Sequence, residues 1–251
     1  MHIYNKKFYE SQKDGSLRSA EIIFPYVFDI LRPKSVIDVG CGLGTWLCVA
    51  KKCGVREILG IDGDYVNRKE LFIAQKEFQS VHLSKRIELD RKFELILCLE
   101  VGEHIDRRDE VVFLDNIASF GDAVLFGAAI PFQGGTNHVN LNWQQYWVKQ
   151  FEKRGYIPID CVRPVFWSNS RVEYFYLQNT ILYVKRRLLK QNKIRNLHKK
   201  YCYQTMNIVH PVKYLEQCSK GFHVSIKGYF KLFPSILKRI IKKIVIRNKI
   251  F

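Results

Sequence analysis

The chain has 251 residues, 47% apolar and 14% aromatic, enough for one medium domain with an appendage or two small domains. Its net charge of +17 sits at one end: residues 1–180 hold 23 basic and 23 acidic side chains, whereas 181–251 hold 18 basic ones against Glu216 alone. Seven cysteines without a C-x-x-C pair argue against a disulfide framework or structural zinc and for a reducing cytosol. The N-terminus lacks the apolar core of a signal peptide, and no uncharged apolar stretch reaches the roughly 20 residues of a membrane span.

Residues 16–31 are apolar with helical spacing and are closed by Pro33. "SVIDVG" (35–40) reads as a short buried strand, followed by a glycine-rich turn and a helix over 45–54 capped by Gly54. "EILGID" (57–62) is the second strand, 65–78 a helix or loop, "SVHL" (80–83) a weak third strand and "FELILCLEV" (93–101) a fourth. A helix over 107–120 precedes a fifth strand, "AVLFGAAI" (123–130), and a helix over 142–155. The last two strands are expected at 156–164 and 172–186. This alternation predicts an α/β fold, a mainly parallel sheet with helices on both faces. Ligands of such sheets sit beyond the carboxyl ends of the strands, near the switch point.

"VIDVGCGLGT" (36–45) places Gly40, Gly42 and Gly44 between a buried strand and a helix, with Asp62 closing the next strand. Glycines allow close backbone approach, and an acid at that place binds ribose hydroxyls. The plain alternative is a tight strand-to-helix turn. The stretch resembles the first motif of class I S-adenosylmethionine-dependent methyltransferases, over roughly residues 16–186. The resemblance implies a seven-stranded Rossmann-like sheet with an antiparallel last strand. It also implies that Gly40, Gly42 and Gly44 line the methionine part of the cofactor, that Asp62 holds the ribose, and that Asp38 supports the loop or the amino group. His82 would meet the adenine, where relatives often carry an acid, and Leu83 and Leu99 would also line the cofactor.

"CLEVGEHID" (98–106) spaces Glu100, Glu103 and His104 at i, i+3, i+4, on one side of a helical turn. Two carboxylates and an imidazole form an incomplete cation site. The loop "IPFQGGTNHVN" (130–140) follows the fifth strand and should lie beside them, carrying His138. E-x-x-E-H here resembles ubiquinone-pathway O-methyltransferases and the enzymes that methylate the 2′-hydroxyl at the 3′ end of small RNAs. The latter imply Glu100, Glu103, His104 and His138 as ligands of a divalent cation, Mg or Mn. The competing reading has Glu103 and His104 capping the next helix and lining the pocket without metal. His138 or His104 then acts as the base directly. Residues 128–156 and 172–186 further resemble a bacterial and archaeal subgroup linked to surface polysaccharide and hexuronic-acid methylation. Trp143, Trp147 and Trp167 either stack on sugars or pack in the core, and Gln178 and Asn179 are amides inside an apolar run that need partners.

In "PSILKRIIKKIVIRNKIF" (234–251), Ile236, Leu237, Ile240, Ile241, Ile244 and Val245 share one helical face and the basic residues take the other. That pattern fits a helix lying on an anionic membrane surface, with residues 221–251 as the contact. The expected organisation is therefore a methyltransferase domain over 1–187 and a basic amphipathic tail over 188–251. The expected activity is methyl transfer to a sugar hydroxyl of a surface glycan, free or lipid-linked, in the cytoplasm at the inner membrane face. Nucleic acid is not the expected partner. The alternatives are an RNA ribose 2′-O-methyltransferase and a non-catalytic cofactor-binding scaffold.

Overall fold

The computed structural model describes residues 6–202 and 206–222. A long helix, α1 (Lys6–Leu31), leads into β1 (Ser35–Val39), α2 (Thr45–Lys52) and β2 (Glu57–Asp62). β3 (Phe78–Ser80), β4 (Leu95–Leu99), α3 (Glu110–Phe120), β5 (Ala123–Gly127) and α4 (Gln144–Lys153) follow. β6 (Tyr156–Ile159), α5 (Arg163–Phe166), α6 (Tyr174–Asn179), β7 (Ile181–Lys185), α7 (Asn192–Tyr201) and α8 (Pro211–Phe222) complete the order.

The seven strands form one sheet in the order β3-β2-β1-β4-β5-β7-β6. β1 to β5 are parallel, whereas β7 runs antiparallel between β5 and β6. Strand order reverses between β1 and β4, so the switch point lies where both sequence motifs leave the sheet. The two-residue period explains why the strands bury both faces. Val36, Leu95 and Leu97 join α1 and α2 in one core, while Ile37, Val39, Ile96 and Cys98 join α3 and α4 in the other.

Three expected elements differ. The run 172–186 divides into α6 and then β7, since a continuous apolar run fits helix or strand, and from α6 the amides of Gln178 and Asn179 reach Gln133 and Glu100. β3 ends at Ser80, which leaves His82 and Leu83 beyond the strand. β6 stops at Ile159, where Asp160 turns to pair with Arg163. Residues 188–210, read from the sequence as the start of the tail, carry Ile194, Tyr201 and Met206 into the cores. The compact units divide after His210, with α8 in the second. The aliphatic stripe of 234–251 lies outside the described residues.

One buried ion pair ties the carboxyl edge together. Arg163 donates to Asp160 through Nε at 2.8 Å and Nη2 at 2.6 Å, and through Nη1 to the carbonyls of Met206 at 2.8 Å and Gln178 at 3.3 Å. Losing one partner of such a pair strands a buried charge. Arg163→Met is expected to lower the unfolding free energy by about 3–5 kcal/mol in urea denaturation, and Asp160→Asn in the same chain to recover part of it. A loss below about 1 kcal/mol would show that water reaches the pair.

Candidate active site

The turn after β1 is left-handed at Gly40 (φ +79°), Gly42 (φ +53°) and Gly44 (φ +79°). A Cβ on Gly40 would come within 2.4 Å of Val101, and one on Gly44 within 2.9 Å of Ile73. A Cβ on Gly42 would meet nothing within 4 Å, so the open side of the turn is there. The carboxylate of Asp62, at the end of β2, accepts from Gly42 N at 2.7 Å, from Gly63 N at 2.7 Å and from the Tyr65 hydroxyl. Asp38 is buried beneath the turn, and burial, then the charge of Asp62, pushes its carboxyl up to about 8. Leu99 is buried at the end of β4, His82 is exposed and Leu83 is half-buried just past β3.

After β4 the chain turns left-handed at Glu100 (φ +57°) and makes a tight 3-10 turn over Gly102–His104. The carboxylate of Glu100 accepts from Gln133 Nε2 at 2.9 Å and Asn179 Nδ2 at 2.8 Å. Gln133 Oε1 in turn accepts from Gln178 Nε2 at 2.9 Å and Asn179 Nδ2 at 3.0 Å. Burial pushes the Glu100 carboxyl up to about 7, against the pull of these amide donors. Glu103 is 1% exposed, and among the described residues neither of its carboxylate oxygens has a partner in good hydrogen-bond geometry, with the Glu103 and Ala129 N–H groups giving only a partial pull downward on its pKa. Burial first, and the neighbouring Glu100 second, raise its pKa well above the usual carboxylate range.

The loop after β5 brings the fourth candidate residue. Phe132 (φ +65°), Gly134 (φ +77°), Gly135 (φ +127°) and Asn137 (φ +57°) are all left-handed, which costs about 1–3 kcal/mol at a bulky residue such as Phe132. The loop is held at both ends. Gln133 enters the amide network, and Asn140 donates to Glu110 at 2.7 Å, which also accepts from the Tyr146 hydroxyl at 2.6 Å. Val139 N and Asn140 N donate to the carbonyl of Glu103 at 2.9 and 3.0 Å. His138 Nε2 thereby lies 4.0 Å from Glu103 Oε1, and its ring stands edge-on to that of His104 at 4.8 Å. The potential ligand atoms of Glu103, His104 and His138 lie within 4.8 Å of one another. Burial, then the neighbouring His104, lowers the His138 pKa to about 4, and loss of water lowers that of His104. Both imidazoles are therefore neutral at pH 7.

Of the four residues expected to surround a cation, three converge and Glu100 is turned into the amide network. Gln133, Glu110, Asn140 and Tyr146 escape the sequence reading, because polar residues in or beside a loop give no sign of burial. Trp147 is buried, Trp167 packs on His210, and Trp143 is exposed.

A family described as a methyltransferase domain matches residues 17–157. The chain belongs to that family. No curated protein sequence matches the chain. Among solved structures, an O-methyltransferase family protein from Burkholderia thailandensis is 15% identical with a TM-score of 0.53, covering 72% of this chain and 57% of that one. The sugar N-methyltransferase from Streptoalloteichus sp ATCC 53650 is 12% identical with a TM-score of 0.54, covering 74% and 97%. Magnesium protoporphyrin IX methyltransferase from Synechocystis PCC 6803, with bound SAH, is 16% identical with a TM-score of 0.50, covering 74% and 90%. At such identities the likeness is one of fold.

In this methyltransferase the seat of His138 depends on Gly135. A Cβ there would fall 2.2 Å from His138 Cε1. Gly135→Ala is expected to eject the ring into water and return its pKa from about 4 toward 6.5, read by NMR titration of the imidazole resonances. Between those two values the unfolded chain binds the proton first, so stability falls as pH falls, and this slope should vanish in the variant. An unchanged low pKa would show that the ring kept its seat.

Proposed function

We propose that this chain moves a methyl group from S-adenosylmethionine to a hydroxyl of a sugar in surface glycan or polysaccharide biosynthesis. The observation that carries this reading is the buried carboxylate of Glu103 facing two neutral imidazoles at the switch point, beside an open glycine turn.

The donor fits the first half of the site. Gly42 leaves open space above the turn, and the buried Asp38 carboxyl, raised to about 8 without a cation beside it, suits a cationic amino group. Asp62 already accepts from the Tyr65 hydroxyl, as it would from a ribose hydroxyl. Gly40, Gly42 and Gly44 line the methionine part, His82 meets the adenine, and Leu83 and Leu99 add to the cofactor's lining. S-adenosylmethionine supplies a methyl group already activated on a sulfonium. What the protein must add is alignment and removal of the hydroxyl proton.

The second half of the site fits that task. A sugar hydroxyl has a pKa far above 7, so its proton must be taken as the new bond forms. His138 and His104 are neutral and can take it. Glu103, His104 and His138 would also hold a divalent cation, which lowers the pKa of a hydroxyl bound to it. One carboxylate and two imidazoles suit Mn better than Mg. Glu100 would stand behind Glu103 and hold Gln133, and with it the loop. The sugar class is supported by the resemblance of residues 128–156 and 172–186 to glycan-modifying methyltransferases.

The stripe of 234–251 supports a working place on an anionic membrane surface. On α8, Val212, Tyr214 and Leu215 are 55%, 61% and 64% exposed, adding apolar surface. No helix of the described residues is long and apolar enough to cross a membrane.

In calorimetry the full chain is expected to bind S-adenosylhomocysteine and then Mn²⁺. Glu103→Gln should keep the first and lose the second, with methyl transfer to sugar acceptors down by at least about 10²-fold. Absence of S-adenosylhomocysteine binding by folded protein would overturn the donor assignment. A normal transfer rate in His138→Ala would remove that residue as ligand and base. In flotation, the full chain should rise with phosphatidylglycerol vesicles and not with phosphatidylcholine alone, and a chain lacking 223–251 should stay behind. Equal flotation of both forms would end the membrane reading of the tail.

A further inference from the structure

Residues 206–210 close the first compact unit, immediately before α8 begins. They have no regular secondary structure, yet side chains from α4, α5 and α6 hold them. Arg163 Nη1 donates to Met206 O at 2.8 Å, and Gln144 Nε2 donates to Ile208 O at 2.9 Å. At the end of the segment His210 N donates to Gln178 Oε1 at 2.8 Å, while the His210 ring bonds to Trp167 O at 2.9 Å. A segment held this closely belongs to the domain's frame, although it leads into the tail.

Gln178 joins that segment to the site. It is completely buried, and both ends of its amide are engaged. A main-chain N–H can only donate. His210 therefore fixes which way the Gln178 amide faces, with its oxygen toward the segment and its nitrogen toward the site. Gln178 Nε2 donates to Gln133 Oε1 at 2.9 Å and to Asn179 Oδ1 at 3.1 Å. Those two amides are thereby turned the same way, and their nitrogens meet the two oxygens of Glu100 at 2.9 and 2.8 Å. The relay runs head to tail from the His210 main chain to the Glu100 carboxylate. Reversing one amide would set like atoms against each other at the next. Buried amides in series also polarise one another, which strengthens each bond.

We propose that Gln178 is a positioning residue for methyl transfer, orienting Gln133 and with it the loop that carries His138. The proposal rests on the reading of that loop as part of the active site. Gln133 N donates to Ile130 O at 3.0 Å, so main chain and side chain together fix the start of the loop. His138 lies five positions further on, with its ring edge-on to that of His104 at 4.8 Å. The effect of Gln178 on the imidazoles runs through Gln133. An apolar side chain of equal length would fill the same space, but it would cut the relay in the middle. The frame therefore requires the amide and not only its volume.

The test uses NMR of the full chain, with and without S-adenosylhomocysteine. In wild type the side-chain amide protons of Gln133 and Gln178 should exchange at least about 10²-fold more slowly than those of an exposed glutamine. A nuclear Overhauser effect should join the His104 and His138 rings. Gln178→Met should speed exchange of the Gln133 amide at least about tenfold and abolish the effect between the rings, with S-adenosylhomocysteine affinity within about twofold of wild type. Tyr156→Phe is the control: it removes a buried hydrogen bond to Gly121 O at the amino edge of the sheet and should leave both signals unchanged. A retained effect between the rings in Gln178→Met would overturn the proposal. Its loss in Tyr156→Phe would do the same, since the signal would then report stability alone. Should Gln178→Met not fold, wild type decides: slow exchange of the Gln178 amide supports the relay, and exchange at the exposed rate ends it. Failure of folded wild type to bind S-adenosylhomocysteine would sink the donor reading, while the relay would still be judged by its own two signals.

Discussion

Everything at the carboxyl edge is arranged around one constraint, the burial of the Glu103 carboxylate without, among the described residues, a partner in good hydrogen-bond geometry. Taking a carboxyl group out of water without compensation is among the more expensive things a fold can do. The cost is raised by Glu100, a second buried carboxyl on the same turn. Two other buried carboxyls are matched, Asp160 by Arg163 and Glu110 by Asn140 and Tyr146. Glu103 and the two imidazoles beside it are the cluster on which the proposed cation and base roles rest.

The surroundings read as a rigid frame for that opening. Glu100 is held by Gln133 and Asn179, which fixes the carboxyl that neighbours Glu103. The same amides bind the β5 loop to α6, and Asn140 binds its far end to α3 through Glu110. A loop held at both ends delivers His138 with little conformational freedom left to lose. The glycine turn after β1 is braced in the same way, since Asp62 accepts from both Gly42 and Gly63. The glycine turn and the Glu103–His104–His138 cluster are therefore registered through the sheet, with β1 and β4 as adjacent strands. In-line methyl transfer needs that register, because misplacement by about 1 Å can cost two orders of magnitude in rate.

Much of this was legible beforehand. Strand and helix order followed from apolar periodicity, and the place of Gly40, Gly42, Gly44 and Asp62 at the carboxyl edge from the strands they follow. The approach of His138 to Glu103 and His104 followed from parallel strand order alone, since consecutive strands of such a sheet place their following loops side by side. The largest misread element has a plain cause. The run 172–186 is apolar throughout, and periodicity cannot separate a buried helical turn from a buried strand. Gln178 and Asn179 stood out there as amides needing partners, but not which partners. Glu100 was grouped with Glu103 and His104 by spacing; its left-handed backbone, invisible to spacing, turns it toward Gln133 and Asn179.

The sequence by itself determined the family, the alternation that builds the sheet, and which loops meet at its carboxyl edge, because these depend on local propensity and on period. Tertiary structure decided what each side chain does there. Which of two nearby carboxyls is held depends on amides that arrive from Gln133 and Asn179, far along the chain. Whether an imidazole is neutral depends on how much water is stripped from it, and whether a phenylalanine is strained depends on what holds its neighbours. These are properties of packing in three dimensions, and no spacing along the chain encodes them.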